Sequence, residues 1–309
     1  MFLENMRIAA EQVGVLYVMV IIGFICSKTG LYTEKAAKLC TDLLFYIITV
    51  AVITESFLEM EFNADTVRSF LIALICNFCM FFFAILITRF IFRSKTDVNE
   101  QVFRYAAIYG NCGYMALPLA SAILGSEGVF YCSTGVIAFN VLVFTHGVKI
   151  MSKDEYKFSL KKLILNPGVI GTLIGFPLFI SGVSLPTVLA KPVIYLSGMN
   201  TPLAMLIFGT YLANTDLKSM FKEKKIYITA LIKLLVIPFA VTAVYRLCGL
   251  TGAILTSLTI TAASPSANNT IMFAAKYDRD TGLASKTVSM VSVISIITLP
   301  VLIAFSQSI

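Results

Sequence analysis

The stretch Asn111-Cys-Gly-Tyr-Met-Ala-Leu-Pro118 and a second one, Ser264-Pro-Ser-Ala-Asn-Asn269, carry the reading of the fold. Each is a cluster of helix-breaking and polar residues in the middle of a long apolar run, where a lipid-facing helix would prefer Leu and Ile. Pro118 and Pro265 remove backbone donors and clash with the preceding turn, and Gly113 permits unusual dihedrals. A backbone group freed inside a bilayer costs several kcal/mol unless protein or a wet cavity surrounds it. One Pro/Gly kink is ordinary in a membrane helix. Two at matching positions, both with asparagine, point to a binding site.

The rest of the chain supplies the bilayer. Of 309 residues, 58% are apolar and 13% are charged, against roughly 25% charged residues in soluble proteins. So few charges cannot solvate a globule, so the chain reads as an all-α integral membrane protein. At about 20 residues per crossing plus short loops, the length admits about ten spans and no soluble catalytic or nucleotide-binding domain. Apolar runs bounded by charges or Pro/Gly predict spans at 12–27, 37–57, 68–92, 104–124, 128–148, 161–182, 190–213, 226–247, 252–275 and 284–306. The broken stretches then fall in the fourth and ninth spans.

The basic residues alternate with these spans. Nineteen of the 24 lie in every second loop, including Lys35 and Lys38, Arg93, Lys149, Lys153, Lys224 and Arg279. Arg7, Arg68, Lys191 and Arg246 lie on the other side, and Lys233 falls inside the eighth span. By the positive-inside rule the nineteen are cytoplasmic, so both termini are expected outside the cytoplasm, in a multi-pass protein of the cell membrane. The net charge of +7 is therefore a topology signal and does not indicate nucleic acid. No cleavable signal peptide is expected, since Glu4 and Glu11 flank the only early basic residue, Arg7.

Five spans, a basic connector over 149–162 and five more spans suggest two halves, 1–150 and 151–309. Gly23-Phe24 and Gly30 recur as Gly175-Phe176 and Gly182 at an offset of 152. At 153, Asn111 falls on Ser264 and Gly113 on Ser266. An odd number of spans per half makes the repeats inverted, a common ground plan of secondary transporters. Two inverted breaks would cross near the midplane. Their half-helix N-termini would offer free N–H groups and partial positive charge to an anion. The expected substrate site comprises Asn111, Gly113, Pro118, Ser264, Pro265, Ser266, Asn268 and Asn269. Lys233, about 10 Å inside its span at 1.5 Å per residue, either snorkels or faces the cavity as a cation.

Other chemistry lacks its parts. The seven cysteines lie mostly in apolar runs, and Cys76-x-x-Cys79 has no partner His or acid, so no metal or cofactor is expected. There is no pair of deep carboxylates, and His146 lies near a span end and reads as structural, so the chain is not expected to be an enzyme.

The chain resembles the auxin efflux carrier family in its short bacterial permease branch. The resemblance rests on Asn111 to Pro118 with Gly125, on Asn166-Pro167, and on Asn200-Thr-Pro-Leu-Ala-Met-Leu-Ile-Phe-Gly209. Lys233 with Pro238, Ser264-Pro-Ser-Ala267, Lys276-Tyr277-Asp278, Ala284-Ser285 and Thr298-Leu-Pro300 complete it. One departure is Ala116, where the family usually has glycine. The resemblance implies ten helices in two inverted five-helix repeats, as in bile-acid sodium symporters, with helices 4 and 9 crossing in a transport domain that moves against a scaffold of spans 1, 2, 6 and 7. It also implies small organic anions as cargo, either auxin-like acids or the malate and malonate class. The expected partners are that carboxylate, the lipid bilayer and a second copy through the scaffold helices. A sodium-coupled symporter of the bile-acid type and a non-transporting sensor or partner subunit stand as alternatives.

Overall fold

The computed structural model describes residues 2–93, 99–152, 164–182, 185–214 and 223–309, and among them the regular elements are all helical. Eleven helices follow in order: α1 (Phe2–Lys28), α2 (Glu34–Leu58), α3 (Ala64–Ile91), α4 (Glu100–Ile108), α5 (Cys112–Met151), α6 (Pro167–Ser181), α7 (Thr187–Ala213), α8 (Lys224–Leu247), α9 (Gly252–Ala263), α10 (Asn269–Lys276) and α11 (Thr281–Ser308). Seven of these, α1, α2, α3, α5, α7, α8 and α11, are long and apolar enough to cross a membrane. The connector at 149–162 and the basic residues Lys95, Lys153, Lys157, Lys161, Lys162, Lys218 and Lys222 fall wholly or mostly outside the described residues.

Local chemistry sets the helix starts. Thr33, Asn63 and Asp280 precede α2, α3 and α11, and each side-chain oxygen accepts from a backbone N–H of the first turn, satisfying donors that a helix leaves open. Asn166 does the same for α6 through Gly168 N, 2.9 Å. At 40 residues, α5 would be about 60 Å long if straight, twice the hydrocarbon thickness. It is not straight: Gly125 has φ 63 and ψ −149, a conformation essentially reserved for glycine, and divides it into 112–124 and 126–151.

Glycines also set how closely the helices approach. A Cβ on Gly23 of α1 would collide with the Leu206 carbonyl of α7, and one on Gly209 with Val20. Likewise a Cβ on Gly171 or Gly175 of α6 would press on Ile53 or Phe57 of α2. Gly23 and Gly175, aligned in sequence at an offset of 152, thus serve two like contacts, α1 on α7 and α6 on α2. A second body of contacts holds α9 among α5, α8 and α11, with α3 against α5.

Among the described residues four five-residue π-helical turns open or interrupt the helices: Leu44–Ile48 in α2, Cys112–Ala116 and Val143–Gly147 in α5, and Ile232–Val236 in α8. Such turns occur often at functional sites, and all four here adjoin the central break or its cavity.

Candidate functional site at the paired breaks

The chain leaves helical conformation twice in the interior, at 109–111 between α4 and α5 and at 264–268 between α9 and α10. The two breaks pair with each other. Gly110 faces Ser266 in an antiparallel bridge, Asn111 N donates to Pro265 O at 2.7 Å and Ala267 N to Tyr109 O at 2.9 Å. Ser266 Oγ adds a bond to Ala106 O at 2.7 Å. Backbone groups that would be orphaned in apolar surroundings therefore satisfy one another. The bridge places Gly110 opposite a residue 156 positions on, where the sequence comparison gave 153. The second break is two residues longer, so no single offset aligns both ends of it.

The first break does not coincide with its proline. Gly113 belongs to the π turn and Pro118 to the helix that follows it, where a missing N–H early in the α-helical stretch does little harm. Pro265 does lie inside the second break and contributes the carbonyl that Asn111 uses.

One face of the pairing looks into a cavity of about 1100 Å³. Asn111, Asn268 and Asn269 line it, with Tyr114, Phe45 and Tyr211. Asn111 caps α5, its Oδ1 accepting from Tyr114 N at 3.1 Å. Among the described residues the side-chain amides of Asn268 and Asn269 have no hydrogen-bond partner. Gly113 joins the three asparagines around an adjoining recess of about 40 Å³, and a Cβ there would meet nothing within 4 Å. The N-terminal ends of α5 and α10 thus reach the cavity together, each carrying about half a positive charge.

The other face is closed. Ser264 and Ser266 are 1% exposed, as is Lys233. Ser264 Oγ donates to Thr261 O at 2.8 Å and Lys233 Nζ to Ala262 O at 3.0 Å. Lys233 neither snorkels nor lines the cavity: it sits behind the crossing. Of the residues expected from sequence, the structure brings Asn111, Gly113, Asn268 and Asn269 to open space. It keeps Pro118, Ser264, Pro265, Ser266 and Lys233 in the packing that holds them there.

The cavity mouth runs along α2, where Glu34, Lys38 and Asp42 are exposed, past Asn214 at the end of α7 and Ser285 near the start of α11. Thr41 and Tyr211 join hydroxyls at 2.9 Å across the α2–α7 contact. Asn166 Nδ2 donates to Asn140 Oδ1 at 2.8 Å, tying α6 to α5. Ser285, Ser289 and Ser292 add a polar stripe from α11, at the i, i+4, i+7 spacing of one helix face. Serines at that spacing in an otherwise apolar span were a signal open to sequence reading. At the far end of α2 aromatic rings pack together: Phe57 and Phe70 each lie 5.0 Å from Phe130, and Phe179 lies 5.7 Å from it.

A family of membrane transport proteins matches this chain over residues 8–159 and 154–303, nearly its whole length. The chain belongs to that family, the auxin efflux carriers. An uncharacterized transporter of Methanocaldococcus jannaschii is 23% identical over 304 residues, covering 94% of this chain and 97% of the relative. One from Methanothermobacter thermautotrophicus is 25% identical over 306 residues, covering 94% and 96%. Among the described residues no group of His, Cys, Asp or Glu is arranged to hold a metal ion.

Proposed function

We propose that the chain is a secondary carrier for a small organic carboxylate of the auxin-like or malate and malonate class, bound where the two breaks meet. The observation that carries this reading is the pair of free amides, Asn268 and Asn269, beside Asn111 at two converging helix N-termini on a cavity of about 1100 Å³. Partial positive charge and N–H donors at the breaks suit an anion, and the cavity's carboxylates, Glu34 and Asp42, line its mouth together with Lys38. The cavity has room for one with an apolar body against Phe45, Phe208 and Tyr114.

In this reading α4 with 112–124 makes the fourth crossing of the membrane, 126–151 the fifth and α9 with α10 the ninth, ten in all. The halves 1–150 and 151–309 form inverted repeats, a reading that the like contacts of α1 on α7 and α6 on α2 support. Those four helices act as scaffold, through which two copies pair. The remaining helices carry the crossing as a transport domain that moves by an elevator-type mechanism. The protein sits in the cell membrane with both termini extracytoplasmic, and the cavity is then open toward the cytoplasm and closed outside by the phenylalanines. An inside-negative potential favours anion exit by about 2.3 kcal/mol per charge per 100 mV, so efflux needs no coupling ion.

The test is charge movement in proteoliposomes over a panel of mono- and dicarboxylates, followed by labelled counterflow to detect electroneutral exchange. Currents or counterflow with one acid, with a raised KM in the Asn268→Ala/Asn269→Ala protein, are expected. Silence in both assays with every acid would falsify the carboxylate reading.

A further inference from the structure

Two helices end at the crossing as well as two that begin there. α4 stops at Ile108 and α9 at Ala263, and the antiparallel pairing of the residues that follow brings the two C-terminal ends side by side. Each end carries about half a negative charge from its aligned peptide dipoles, so about one negative charge is concentrated in a region sealed from water. Into it projects a single ammonium. Lys233 Nζ donates to Ala262 O at 3.0 Å. It also stands 2.7 Å from where a Cβ on Gly110 would be, so it touches the break that follows α4 as well. Among the described residues no carboxylate pairs with Lys233, and its side chain is 1% exposed.

The local backbone is built for this placement. Lys233 lies in the π turn Ile232–Val236 of α8. One extra residue in a turn rotates the following side chains by about 100° and breaks the ordinary ladder just ahead of Pro238, which lacks a donor. Gly110 lacks a side chain where one would strike both Ser264 Oγ and the ammonium. A buried charge left uncompensated is strongly disfavoured, and here the two helix ends compensate it.

We infer that Lys233 is a built-in monovalent cation: its ammonium fills a site between the C-terminal ends of α4 and α9 that would otherwise need a bound ion, and so makes the crossing independent of sodium. The position of the charge does not depend on what is transported. Only the consequence for coupling rests on the carrier reading above. A tethered cation travels with the protein, so it adds no ion to the stoichiometry, and the charge moved per cycle is that of the cargo.

The experiment uses the purified full chain in detergent as wild type, Lys233→Ala and Lys233→Met. Thermal unfolding midpoints are read by size exclusion after heating, in the chlorides of sodium, potassium, choline and methylammonium at equal ionic strength. The wild-type midpoint is expected to be the same in all four salts. The Ala variant should unfold several degrees lower in choline and regain at least half of that loss, dose-dependently, in sodium or methylammonium, which fit the vacated space. The Met variant, with the space filled and no charge, should stay low in all four. A wild-type midpoint that rises with sodium overturns the inference, as does a folded Ala variant indifferent to the cation. If the Ala variant survives extraction only in sodium or methylammonium, that supports it; if it survives in none, that overturns it. Absence of carboxylate flux in every protein, with the midpoints behaving as stated, would fail the carrier reading alone.

Discussion

On one side of the crossing Asn111, Asn268 and Asn269 look into a large cavity; on the other, a lysine ammonium is packed against Ala262 O with 1% of its surface exposed. Both sides are made by the same six residues of backbone, Tyr109–Asn111 and Pro265–Ala267. They differ in which helix ends they present. The N-terminal ends face open space and leave donors free, whereas the C-terminal ends face protein and are matched at once by a cation. The lesson is that one structural device, a pair of antiparallel helix breaks, produces a site for something mobile and a site that is already full. The same polar groups cost stability on neither side, because the cavity solvates one set and Lys233 the other.

That contrast can be broken most violently at its midpoint. Gly110→Val places atoms onto Ser264 Oγ and Lys233 Nζ together, and overpacking of this kind costs about 1–3 kcal/mol or more. Loss of the folded peak in size exclusion is the expected outcome. A change confined to the open face should behave differently. Asn268→Ala/Asn269→Ala removes two partnerless amides, so the thermal midpoint should hold while KM rises. Hydrogen bonds to a charged group are worth about 1.5–3 kcal/mol each, which corresponds to at least tenfold per amide. A concentration series in the counterflow assay reads it.

Smaller effects sharpen the comparison. Ser266→Ala removes the 2.7 Å bond to Ala106 O from the closed face. It should cost about 1–3 kcal/mol of stability, seen as a lower midpoint in detergent, with KM unchanged. Gly113→Ala on the open face meets nothing within 4 Å and should leave stability unchanged or raise it by up to about 1 kcal/mol. Its effect on KM should be under threefold, and a larger one would place the cargo in the recess of about 40 Å³ beside Gly113.

The crossing was legible in the sequence because its ingredients are rare in a bilayer: two clusters of Pro, Gly and Asn in apolar runs announce themselves. That reading grouped Asn268 and Asn269 with Ser264 and Ser266 and did not separate the pair that lines the cavity from the pair that is buried. The side to which Lys233 turns was not legible. Depth along a helix can be counted, but direction depends on the π turn Ile232–Val236, which has no residue signature and arises from how α8 packs. The break at 109–111 lies at the start of the stretch Asn111–Pro118 and not across it for a related reason. A proline forbids a donor but does not oblige a helix to end there, and the π turn Cys112–Ala116 lets α5 begin ahead of it. The serine stripe of α11 was written in the chain and needed only to be read at helical spacing.

The phenylalanines at the far end of α2 bear on time rather than place. Phe57 and Phe179 sit on helices assigned to the scaffold, Phe70 and Phe130 on helices assigned to the moving part. A cycle in which these bodies slide must separate the rings and later reseat them. Each aromatic pair adds about 0.5–1.5 kcal/mol beyond its area, so in the elevator cycle proposed above, parting several of them together would make a latch whose release sets the tempo of turnover. Trimming a single ring would then quicken the cycle before it weakened the grip on cargo, and warming should speed the protein more steeply than diffusion through the cavity alone would allow.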